Sequence, residues 1–137
     1  MEDHSDRLPR TGLSAGLAIY EALSESEAVT SRVTRIFPLV STTEIKSPAV
    51  CYLVEALEPT PVKTGTVSDM VAVEIYCIAG DYPACVDIAE AVRATLDGLS
   101  GETSHGMLVS HCMMTDQTED YQEGAYIKLL NFKMRIR

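Results

Sequence analysis

The chain has 137 residues, 46% of them hydrophobic, which is enough for one domain with a conventional core and no need of covalent staples. Its 11 lysines and arginines stand against 20 aspartates and glutamates, a formal charge of -9, and so thin a supply of cations excludes a general binder of nucleic acid or of anionic membranes. No apolar run approaches the roughly 20 residues of a membrane-spanning helix; the first ten residues carry Glu2, Asp3, Asp6 and Pro9 where a signal peptide would be hydrophobic, so the chain is expected to stay in the cytoplasm where it is made.

Residues 1–11 read as a flexible arm, with residues 12–137 as one α+β domain. From Gly12 to about Ser24, the positions of Leu13, Leu17, Tyr20, Ala22 and Leu23 suggest an amphipathic helix. Glu25 to Ser31 is a second, short helical or turn segment anchored by Val29. Arg32 to Leu39 is a short edge strand or extended loop that stops at Pro38, because proline has no N–H to give a sheet ladder. Ser41 to Ser47 is polar loop. In Ala49 to Leu57, apolar residues fall on both sides of the alternation, which predicts a strand covered on two faces. Glu58 to Gly65, with two prolines and a glycine, is a wide turn leading back as an antiparallel hairpin.

The stretch from Val67 to Gly98 organises the rest. Val67, Val71, Val73, Ile75 and Cys77 alternate as a half-buried strand interrupted on that face only by Asp69. Asp81 is placed to cap a helix and Pro83 to sit in its first turn. The helix, Tyr82 to Leu96, lines up Cys85, Ile88, Ala89, Val92 and Leu96 on one stripe, and Gly98 supplies the left-handed stop. Leu99 to Gly106 is loop, Met107 to Met114 a third long strand and Asp116 to Gly124 a polar connection. Ala125 to Ile136 is a fourth strand, with Leu130, Phe132, Met134 and Ile136 on one face and Asn131, Lys133, Arg135 and Arg137 on the other. These elements predict a two-layer α+β fold: a four-stranded, mostly antiparallel sheet of two hairpins with two main helices packed on it.

Residue chemistry gives no reaction. The four cysteines, Cys51, Cys77, Cys85 and Cys112, sit singly in apolar segments and read as reduced core thiols. A nucleophilic pair of His111 and Cys112 is opposed by geometry, since consecutive strand residues point to opposite faces. His105, His111 and a cysteine lack the spacing that brings metal ligands together. Asp116, Glu119, Asp120 and Glu123 lack the ligand alternation and central glycine of a calcium loop and read as a solvated hairpin. Gly98, Gly101 and Gly106 have no phosphate-loop context. Lys128, Lys133, Arg135 and Arg137 form a basic set that suits the wet side of a strand or one half of a charged subunit contact, and Met113 and Met114 suit a core or an adaptable interface. No catalytic, cofactor-binding or metal-binding residue is assigned, and no cofactor is expected.

Arg35-Ile36-Phe37-Pro38, Ser47-Pro48-Ala49-Val50-Cys51-Tyr52, Val71-Ala72-Val73-Glu74-Ile75-Tyr76-Cys77, the helix Ala84 to Leu96 and the closing Leu130-Asn131-Phe132-Lys133-Met134-Arg135-Ile136 follow one another in an order that resembles the tail-completion family of long-tailed bacteriophages. This family comprises small tail-terminator or head-tail joining proteins of phages and prophages, and the likeness covers about Gly12 to Arg137. It implies a protomer that assembles with copies of itself, commonly as a hexameric ring, caps the tail tube and meets the head connector, without catalysis. It implies residence in the host cytoplasm during assembly and then at the tail end of the virion. DNA would pass through the ring without being bound in a sequence-specific way, and no membrane is involved. A small cytoplasmic α+β ligand-binding or regulatory domain is the alternative, and a cysteine- or metal-dependent enzyme a third.

Overall fold

The computed structural model describes residues 8–39, 47–61 and 67–137. Most of the predicted arm, nearly all of the Ser41 to Ser47 loop and the far part of the Glu58 to Gly65 turn lie outside the described residues. The elements are a short 3-10 turn at Gly12–Ser14, α1 (Ala15–Ser24), α2 (Glu27–Thr30), β1 (Arg35–Pro38), β2 (Ala49–Pro61), β3 (Val67–Ala79), α3 (Tyr82–Leu96), β4 (Gly101–Glu102), β5 (Leu108–Gln122) and β6 (Ala125–Ile136).

The expected four-stranded sheet with two main helices packed on it is corrected to a six-stranded mixed sheet in the order β1-β2-β3-β6-β5-β4, curled into a half-barrel with few helices. Two short segments make the difference. β1 joins parallel to β2, with Arg35 opposite Ala49 and Pro38 opposite Tyr52; Pro38 is tolerated because it closes an edge strand. β4, inside the predicted Leu99 to Gly106 loop, pairs Gly101 with Val109 and Glu102 with Leu108. The other pairings are antiparallel, β2 with β3, β3 with β6, and β6 with β5.

Two predicted turns are also strand. β2 runs on through Glu58 to Pro61, paired as far as Val67. β5 runs through the supposed polar connection to Gln122, so only Glu123 and Gly124 turn the chain. Both have positive φ, 49° and 84°, the geometry of a two-residue hairpin whose twist matches its strands. Residues 115–124 are exposed; with no buried face, their strand character leaves little hydrophobic alternation to read.

The helices cover one sheet face, and there the core forms. Val71, Val73, Ile75 and Cys77 of β3 and Leu130, Phe132, Met134 and Ile136 of β6 meet Cys85, Ile88, Ala89, Val92 and Leu96 of α3, all buried in one cluster. α3 has the predicted bounds: Asp81 accepts from Ala84 N–H at 2.9 Å, and Gly98 takes φ 81° two residues past the last helical position. Val29 anchors α2 at 0% exposure.

Of the residues that predicted the first helix, Leu23 is buried and Ala22 partly so, and the rest of the inward face differs. Ala15, Ala18, Ile19 and Leu23 go inward, while Leu13, Leu17 and Tyr20 remain 84%, 38% and 48% exposed. The helix meets β2 at ordinary packing distance: a Cβ on Gly16 would lie 3.6 Å from the Tyr52 ring. The two-faced burial expected of β2 holds for Ala49, Val50, Cys51 and Tyr52, after which Leu53 is 39% exposed.

Candidate functional site

The residues tested for chemistry are scattered, and their surroundings quiet them. All four cysteines are free and buried. Burial pushes the Cys51 and Cys112 thiols up to about 12 and raises Cys77 and Cys85 as well; a thiol held protonated is a poor nucleophile. Cys112 faces the core and His111 is exposed, hydrogen-bonded to Ser110 Oγ at 3.1 Å. His105 lies in a separate loop, its Nδ1 3.9 Å from Glu21. Among the described residues, no three His, Cys, Asp or Glu side chains gather as metal ligands. Gly101 and Gly106, like Gly98, have positive φ, and none of the three has a neighbour within 4 Å of its Cβ position.

The charged residues define the candidate site, an interaction surface on the β5–β6 ribbon. The basic set divides. Lys128 shares the helix-side face with Leu130, where its Nζ meets Glu119 at 3.0 Å and lies 5.8 Å from the centre of the Tyr82 ring. Glu119 also accepts from Tyr82 Oη–H at 3.0 Å. The Lys128 hydrogen bond, then that of Tyr82, holds the Glu119 carboxyl below its ordinary range. Burial works against the Lys128 charge, but the Glu119 bond and charge outweigh it and the ammonium is strengthened. Tyr82 meets Tyr126 edge-on and Tyr126 meets Tyr121 at a tilt, with ring centres 5.6 and 4.7 Å apart. The Tyr82, Glu119 and Lys128 contacts fasten the ribbon, a few residues short of its turn, to the start of α3.

Beyond it the ribbon tip is acidic. There Asp120 accepts from Tyr121 N–H at 2.8 Å and from Gln122 Nε2 at 2.7 Å; Asp116, on the side of the Glu119–Lys128 pair away from the turn, bonds Asn131. Asp120 and Glu123 have no basic partner among the described residues, and Tyr121 is 57% exposed. The outer edge of β5 is covered only near its start, by β4 and by the end of α3, where Gly98 N–H donates to Cys112 O at 2.7 Å and Met114 N–H to Asp97 Oδ1 at 3.0 Å. Past Met114 no described strand pairs with that edge, leaving backbone groups open to a partner.

At the other end of the ribbon, Arg135 and Arg137 border an open cavity of about 590 Å³ together with Ser68, Leu108, Ser110 and His111. Arg135 Nη1 donates to Ser68 Oγ at 2.8 Å, which fixes the guanidinium in place. His111 holds φ 54°, a strained backbone for a residue with a Cβ, next to an irregularity of register between Ser110 and Met113. Permanently charged guanidinium forks over a partly apolar floor suit a carboxylate or phosphate oxygen pair. The sequence offered one signal for this site, the spacing of Arg135 and Arg137; it could not show that Ser68, 67 residues before Arg135, would lie under them. Lys133 is exposed on the same face, Met113 is 57% exposed, and Met114 packs against the core.

No family model matches the chain, and no curated protein matches it. Among solved structures, a chain of the "Virion of native gene transfer agent (GTA) particle" is similar over 86% of this chain and 90% of its own, with a TM-score of 0.72 and 19% identity. The likeness at that identity is one of fold: the curled sheet described above occurs in a chain of that particle.

Proposed function

We propose that the chain is a structural protein of a phage or prophage particle, a tail-completion or head-tail joining adaptor that caps the tail tube and meets the head connector by assembling as a hexameric ring. The observation that carries this reading is the fold shared with a chain of a gene transfer agent virion over 86% of this chain. The motif order from Arg35 to Ile136 supports it independently. On this reading the protein works by surface complementarity, first in the host cytoplasm and then at the tail end of the particle, with copies of itself, the tail tube protein and the connector as partners.

Charge supports the same reading. A chain of net charge -9 suits a ring through which DNA slides without adhering. Mixing the protein with cognate tail tubes and imaging them by electron microscopy tests the proposal. Density confined to one tube end is the expected result; tube ends left bare overturn it.

A further inference from the structure

The two ends of the β5–β6 ribbon are complementary. One carries Asp120 and Glu123 beside the turn, with the Tyr121 ring on the opposite strand face against Tyr126; the other carries Arg135 and Arg137 around an open cavity of about 590 Å³ with Leu108 in its wall. We infer that the ribbon tip of one copy seats in the arginine-rimmed cavity of the next. The inference rests on the ring-assembly reading and specifies its contact.

A second copy is the occupant because the chain itself supplies the matching chemistry. Carboxylates at the tip answer the guanidinium forks, which bind oxygen pairs in two-pronged fashion. A chain cannot satisfy its own cavity: β5 has 15 residues, which separates its ends by roughly 45 Å at about 3.3 Å per residue. The contact therefore joins two different patches, and a head-to-tail contact of this kind closes into a ring when its rotation permits.

Cysteine pairing tests it, and the buried native thiols keep the background low. Ser100, in the cavity wall, and Gln122, beside the tip, are both exposed. Treated with a short bismaleimide, a chain carrying both Ser100→Cys and Gln122→Cys should give a ladder of linked multimers. A mixture of the two single variants should stop at linked pairs, and neither single variant alone should link. Arg137→Glu or Asp120→Arg should each lower the yield about tenfold or more, because like charges brought together repel, and the two reversals combined in one chain should restore it. Circular dichroism establishes that each variant is folded.

Linking of one single variant to itself would overturn the inference, since the contact would then join like patches. Folded charge reversals that leave the ladder unchanged would overturn it too. Multimers seen by light scattering without a link between the two introduced thiols would overturn this contact and leave ring assembly standing. A monomeric mass with no link would overturn the contact, while ring assembly would still be decided separately at the tail-tube ends.

Discussion

Asp69 is 6% exposed on the β3 face that otherwise carries valine, isoleucine and cysteine. Its Oδ2 accepts the Gly12 N–H at 2.8 Å, so the carboxylate ties the turn before α1 to the sheet. Gly12 has no room for a side chain, because an added Cβ would lie 2.6 Å from Asp69 Cβ and 2.8 Å from Leu57 Cδ1. Asp69→Ala, which orphans a buried donor, is expected to cost about 1–3 kcal/mol. Gly12→Ala should cost a similar amount, about 1–3 kcal/mol, through overpacking. Urea denaturation measures both, and a neutral Asp69→Ala would show that the hydrogen bond is dispensable. At the same scale, thiols as buried and as hard to ionise as Cys51 and Cys112 should resist maleimide in the native protein, and all four cysteines should react once it is unfolded. Mass spectrometry counts the labels; one rapidly modified native thiol would favour the enzyme alternative.

The β5–β6 ribbon is an element held by charge. Glu119 has its carboxyl pKa lowered by the bonds from Lys128 and Tyr82, so its contribution is present above the ordinary carboxylate value and lost as pH falls through the lower folded one. Lys128 has its pKa raised, so its contribution is present below the ordinary lysine value and lost only as pH climbs past the raised one. The Tyr82, Tyr121 and Tyr126 ring resonances should therefore hold steady around neutrality and shift in strong acid. In Glu119→Gln the rings should be displaced already at neutral pH and lose the acid transition. Elements with a buried side were the legible ones: α3 carries its cap, its stripe and its glycine stop in sequence, and β3 and β6 carry a period of two. The acidic half of β5 buries neither face and is a strand because β6 pairs with it, so its polarity looked like a loop. α1 has apolar residues on more than one side, and of those that suggested it only Ala22 and Leu23 turn inward, beside Ala15, Ala18 and Ile19. The arginine-rimmed cavity was hidden for a related reason: it assembles from the start of β3, the start of β5 and the end of β6, segments whose proximity is a property of strand order.

For the whole molecule, charge and topology set the expectations. With a net charge of -9, the protein should leave duplex DNA unshifted in a gel at physiological salt; firm retention would contradict a channel that DNA slides through. Phe132 lies at 0% exposure in β6, between β3 and β5, so Phe132→Ala should cost roughly 3–5 kcal/mol, read by thermal or urea unfolding. β6 is the last strand in chain order yet it sits inside the sheet, joining the β1-β2-β3 half to the β5-β4 half. Until residues 125–136 are made, the strand that pairs with both β3 and β5 is missing, so their inner edges are expected to stay unsatisfied. Nascent chains stalled before Ala125 are thus the species that chaperones and proteases should recognise, and emergence of β6 is the step expected to commit this domain to its native state.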